Sequence, residues 1–69
     1  MSVSGLSKEE LGKKLRETRE KLNMTQEEVA SKAGLNTNYY AVIERGEVDP
    51  GMEKITKIFE VLGIKLLFP

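Results

Sequence analysis

The sequence predicts an all-α domain: a compact bundle of four to five helices, closed by a short extended segment at the carboxyl end. Three observations predict it. Apolar residues recur at spacings of three and four along most of the chain. Two Ser/Thr-x-x-Glu signatures, Ser7 to Glu10 and Thr25 to Glu28, mark helix starts. Glycines at positions 34, 46 and 63 stand where the apolar runs stop. The chain has 69 residues, enough for one small domain with a thin core. It has no cysteine and no histidine, so no disulfide forms and the usual zinc ligands are missing. Stability must come from helix packing, a partner subunit, or both.

The elements follow in order. Residues 1–6 are small or polar and are expected to fray as a flexible amino terminus. A first helix over about Ser7–Leu22 carries Leu11, Leu15, Thr18 and Leu22 on one stripe, and Asn23 interrupts it. A second, over Thr25–Ala33, has a narrow stripe of Val29, Ala30 and Ala33 and stops at Gly34. At about eight residues it is too short to stand alone in water. Asn36 is a good cap for a third helix, Thr37–Arg45, which Gly46 ends. Tyr40 and Ile43 share its inner face with the incoming Leu35, which leaves Asn38, Ala41, Val42 and Arg45 opposite. Glu47 to Gly51 reads as a loop. The fourth helix has Met52, Ile55, Ile58, Phe59 and Leu62 on its stripe, with Gly63 as cap and Ile64 as the cap's apolar partner. Residues 64–69 form the extended tail.

Composition excludes several function classes. Lys and Arg number 11, Asp and Glu number 11, and the isoelectric point is near 6.3. A strongly basic arm is therefore not the means of binding any polyanion. No histidine or cysteine is available as general base or thiol nucleophile, and the only aspartate, Asp49, lies in a loop. An enzyme is not expected, nor is a metal or other cofactor. The amino terminus lacks a basic region followed by an apolar run, and no apolar stretch is long enough to span a bilayer. A cytoplasmic location with no membrane partner is the expectation.

The informative constellation is the pair of short helices at 25–33 and 37–45 joined by a tight turn, a helix-turn-helix unit. Gly34 allows the chain to reverse within a few residues. Ala30 and Ala33 allow the two helices to cross closely. Leu35 and Ile43 anchor the second helix from below, which frees its other face to enter a groove about 12 Å wide in duplex DNA.

The run Leu11-Gly12-x-x-Leu15-Arg16-x-x-Arg19, then Thr25-Gln26-Glu27-Glu28-x-Ala30-x-x-Ala33-Gly34-Leu35, then Tyr39 and Ile43-Glu44-Arg45-Gly46, resembles the phage-repressor and Cro family of XRE-type helix-turn-helix proteins. The resemblance covers residues 7–63, without a gap in the motif offsets. It implies a lambda-repressor-like bundle and a dimeric, DNA-binding transcriptional regulator, with a repressor among its relatives as the type. Carried onto this chain, it implies base contacts from Thr37, Asn38, Ala41 and Val42. It implies a phosphate contact from Gln26, a place near the phosphate strand for Asn36, and a structural ion pair between Arg19 and Glu44; as basic residues Arg16 and Lys32 are expected to contact phosphate too, as is Tyr39 unless it packs at the core edge. Asn pairs bidentately with adenine, and Thr or Val methyls pack on thymine. The residues alone leave a plain solvent-facing role open at Gln26, Thr37, Asn38, Ala41 and Val42, and a core-edge role at Tyr39.

Several positions depart from the family pattern. Glu47, Val48 and Asp49 stand where basic or polar residues are usual, Gly51 replaces a hydroxyl cap, and Tyr40 replaces an aliphatic residue. The tail stops short of a fifth helix. Ile64, Leu66, Leu67 and Phe68 are expected either to pair as a strand with a second chain, giving a homodimer, or to fold back on the core. The partners expected are double-stranded DNA and a second copy. The alternative is a protein-interaction module that binds a toxin or other protein, as antitoxin subunits of this family do, with or without operator binding.

Overall fold

Four helices follow one another in the computed structural model, which describes residues 6–65. They are α1 (Lys8–Lys21), α2 (Gln26–Ala33), α3 (Thr37–Glu44) and α4 (Met52–Leu62). No strand occurs among the described residues. Leu66, Leu67 and Phe68 lie outside them, as does most of the expected extended segment.

Local chemistry sets each helix start. The Ser7 hydroxyl accepts from the Glu10 N–H at 3.0 Å, and the Glu10 carboxylate accepts from the Ser7 N–H at 3.1 Å. Thr25 and Glu28 repeat the reciprocal pair at 3.0 and 2.9 Å. Asn36 Oδ1 accepts from the amides of Asn38 and Tyr39 at 2.8 and 3.3 Å. Each cap satisfies amides that have no partner inside the helix. Gly51 offers α4 no side-chain cap, as the departure from the family pattern implies. At the other ends, the Leu35 amide reaches the Ala30 carbonyl and the Ile64 amide reaches that of Phe59. Both close the helix through a left-handed glycine, Gly34 and Gly63.

The helices meet on one core: Leu11 and Leu15 of α1, Val29, Ala30 and Ala33 of α2, Tyr40 and Ile43 of α3, and Ile55, Ile58, Phe59 and Leu62 of α4. α1 packs on α3 and α4, and α2 packs on α3 and α4. Leu6, read with the amino-terminal segment, packs partly against this core, as do Met24, Leu35 and Tyr39.

Two large apolar residues of the expected stripes are exposed instead. Leu22 is 48% exposed and Met52 50% exposed. α1 ends at Lys21, and Asn23 turns left-handed at φ 56°, so Leu22 leaves the inner face as the chain turns away. Met24 takes the place against the core. Met52 is the first residue of α4, a turn ahead of the helix's contact with the core.

A close backbone approach joins α1 to the end of α3. A Cβ on Gly12 would lie 2.6 Å from the Ile43 carbonyl oxygen, and closer still to that of Glu44. Only glycine lets the two backbones touch there. One turn away, Gly46 has φ +76°, and a Cβ on it would lie 2.9 Å from Glu9 Cα. The carboxyl end of α3 is thereby fixed against α1, while its amino end carries the exposed Asn36 and Asn38.

Candidate nucleic-acid interface

The amino end of α3 begins with the Asn36 cap. Asn36 and Asn38 are exposed, and Thr37, Ala41 and Val42 are half-exposed. Tyr40 and Ile43 on the opposite side are fully buried. The four positions expected to meet bases thus share an accessible flank, with Asn38 the most open. The Asn36 side-chain oxygen is committed to capping, so its amide NH2 is the group left to donate.

Beside α3 lies an ion cluster built from three elements. Arg19 Nε donates to Glu44 Oε2 at 2.6 Å, and its Nη2 to Oε1 at 3.1 Å, a bidentate pair. Arg19 Nη1 donates to the Met24 carbonyl at 2.9 Å, which ties down the α1–α2 connection. Gln26, the first residue of α2, donates Nε2 to Glu44 Oε1 at 3.0 Å. The Glu44 side chain is only 3% exposed and that of Arg19 13%. Burial by itself pushes the Glu44 carboxyl up, but the Arg19 guanidinium and the polar groups of Tyr40 and Gln26 outweigh it and hold the group below the usual carboxylate range. The Glu44 carboxylate raises the Arg19 guanidinium in turn.

The Tyr40 hydroxyl sits at the edge of this cluster, buried, without a hydrogen bond to it. Burial foremost, and then the nearby carboxylate, push the Tyr40 phenol far above its ordinary value.

Gln26 therefore braces α3 through Glu44. An ionised carboxylate only accepts, so the Gln26 amide must turn its NH2 toward Glu44. One of the two N–H groups is used there, and the other is free for an acceptor outside the protein. A shallow cleft beside it is lined by Arg16, Arg19, Gln26, Glu44 and Arg45. Arg16 pairs with Glu20 at 3.3 Å, and both are exposed. Lys32 is exposed at the end of α2. Tyr39 packs partly against the core, with Lys54 Nζ 5.6 Å from its ring centre. Ile64 is half-buried against its own core. Arg45 is not among the site residues that the sequence singles out. That Gln26 braces the third helix is what the resemblance implies, and its acceptor there is Glu44, 18 residues away on a separate helix. The sequence signal for Arg45 was the Arg-x-Glu spacing to Glu47 across a helix end.

The helix-turn-helix sequence profile matches residues 15–68 of the chain. The chain belongs to the XRE-type helix-turn-helix family. Several relatives in that family carry the name HTH-type transcriptional regulator. One from Archaeoglobus fulgidus is 34% identical over 53 residues, which is 77% of this chain and 75% of that protein. One from Methanocaldococcus jannaschii is 36% identical over 44 residues, covering 64% of this chain and 67% of its own length. A third, from Sinorhizobium fredii, is 29% identical over 59 residues, 86% of this chain but 30% of that longer protein. In this helix-turn-helix chain no helix among the described residues is long and apolar enough to cross a membrane. No three of His, Cys, Asp or Glu converge among them.

Proposed function

We propose that this helix-turn-helix chain is a sequence-specific double-stranded DNA-binding regulator of transcription, acting as a homodimer on a roughly palindromic site. The observation that carries the reading is the split of α3: Asn38 open to solvent, with Thr37, Ala41 and Val42 beside it, and Tyr40 and Ile43 sealed inside. A helix held by its inner face and bare at its amino end has the shape the major groove admits. Asn38 discriminates a base, and Thr37, Ala41 and Val42 pack on base edges and methyls. Gln26, through its spare N–H, holds backbone phosphate at the amino end of α2, where the helix dipole also favours an anion. Asn36, Arg16, Lys32 and the rim of Tyr39 flank the same strand. Family membership and relatives named as regulators support the reading.

Selection of bound duplexes from a random library, at two salt concentrations, tests it. The expected result is a motif with two half-sites about 34–36 Å apart. Asn38→Ala should relax preference at one base pair per half-site, at a cost of about 1–3 kcal/mol for the preferred sequence. Gln26→Ala should weaken all sequences alike. Loss of affinity spread evenly over the library by both variants would overturn the assignment of roles, and enrichment of single half-sites would overturn the dimer.

A further inference from the structure

Glu47 follows α3 across the Gly46 turn, and the structure gives it a partner. Arg45 Nε donates to Glu47 Oε2 at 2.7 Å and Arg45 Nη2 to Oε1 at 3.3 Å. This is the two-pronged geometry by which a guanidinium grips a carboxylate or a phosphate. The pose is imposed by the backbone. α3 ends with the Gly46 amide on the Ile43 carbonyl at 3.0 Å and the Glu47 amide on the Val42 carbonyl at 3.1 Å. That closure folds the chain back over the helix end and delivers the Glu47 side chain to Arg45. Both side chains remain 55% exposed, so solvent and ligands reach the pair. Arg45 also lines the cleft that holds Gln26 and Arg16.

We propose that Glu47 is an internal competitor for the DNA backbone, gripping Arg45 as a phosphate would and setting the chain's general affinity for duplex DNA low. The inference rests on the DNA-binding reading above and names a residue that tunes it. The exchange is chemically simple. A phosphate oxygen pair replaces the Glu47 carboxylate on the Arg45 fork, the freed carboxylate turns to water, and one more counterion leaves the duplex. An exposed pair is weakly held, so the exchange is available, but each binding event must first break it. The neighbouring Asp49 supplies the control. It lies two residues on in the same loop and makes no ion pair among the described residues.

The experiment titrates the full chain with a random-sequence duplex of about twenty base pairs over a salt series. The proteins are the unaltered chain, Glu47→Gln, Asp49→Asn, Arg45→Met and the double variant Arg45→Met/Glu47→Gln. Glu47→Gln should bind about fivefold more tightly near 0.1 M salt, the upper end of what breaking an exposed pair costs, with the log–log salt slope unchanged because both proteins end with Arg45 on a phosphate. Asp49→Asn removes the same charge from the same loop and should gain less than about threefold, with the slope unchanged. In the Arg45→Met background, Glu47→Gln should gain no more than Asp49→Asn does. Equal effects of Glu47→Gln and Asp49→Asn, or a gain that survives Arg45→Met, would overturn the proposal while leaving DNA binding intact. An unaltered chain and Glu47→Gln variant that both fail to bind would overturn the DNA-binding reading along with it.

Discussion

Glu44 accepts three side-chain hydrogen bonds, two from Arg19 and one from Gln26, yet the nearby Tyr40 hydroxyl is left without a partner. A buried hydroxyl without a hydrogen bond costs about 1–3 kcal/mol. Tyr40→Phe should therefore stabilise the chain by about 1 kcal/mol at pH 7 in urea denaturation. The phenol also carries a pH signature. Its folded pKa lies above the ordinary tyrosine value, so its contribution is complete below about pH 10 and lost as pH rises beyond. Phenylalanine should remove that alkaline loss. Destabilisation by the substitution would instead show that the hydroxyl donates to Glu44. The Arg19–Glu44 pair was legible through the family pattern, because its members sit at fixed motif offsets. The acceptor through which Gln26 braces α3 and the Arg45–Glu47 fork were not. They depend on how helix ends meet in space, which hydrophobic spacing does not encode.

All four helices could be placed from the sequence because their stop and start signals are local. A capping box spans four residues, and a left-handed glycine acts on its own turn. The errors at Leu22 and Met52 share one cause: a periodic stripe continues on paper beyond the point where the chain leaves the helix or its neighbour. The role of Gly12 was hidden for the opposite reason. Within a helix it looks like a weak residue, about 1 kcal/mol worse than alanine, whereas in the fold it is the contact point of α1 with the last carbonyls of α3. The two readings predict opposite signs. Gly12→Ala should destabilise the chain by about 2 kcal/mol, since fixed backbone atoms must move. Measured in urea, a gain of stability would show that the close approach is absent.

Across the molecule, charge balance ties stability to acidity in one direction. Glu44, Glu47 and the capping carboxylates Glu10 and Glu28 all have pKa values below the ordinary range in the folded chain. The unfolded chain therefore takes up protons first as pH falls. The stability these groups confer is present above about pH 4.5 and is lost as pH drops through their lowered values. With no histidine, no imidazole adds a step between pH 5 and 8. Melting followed by circular dichroism should give a flat profile from about pH 6 to 9 and a fall of 10 °C or more by about pH 3, because uncoupling a buried pair costs about 3–5 kcal/mol. A profile flat down to pH 3 would show that the Arg19–Glu44 pair adds nothing to stability.

The contact of Gly12 with the far end of α3 also bears on how new target preferences could arise. One end of that helix is clamped into the scaffold, and the other carries side chains that the scaffold does not use. On the proposed DNA-binding reading, exchanging Asn38 would change what is read without disturbing what holds the reader in place, so divergent recognition could accumulate on an unaltered frame.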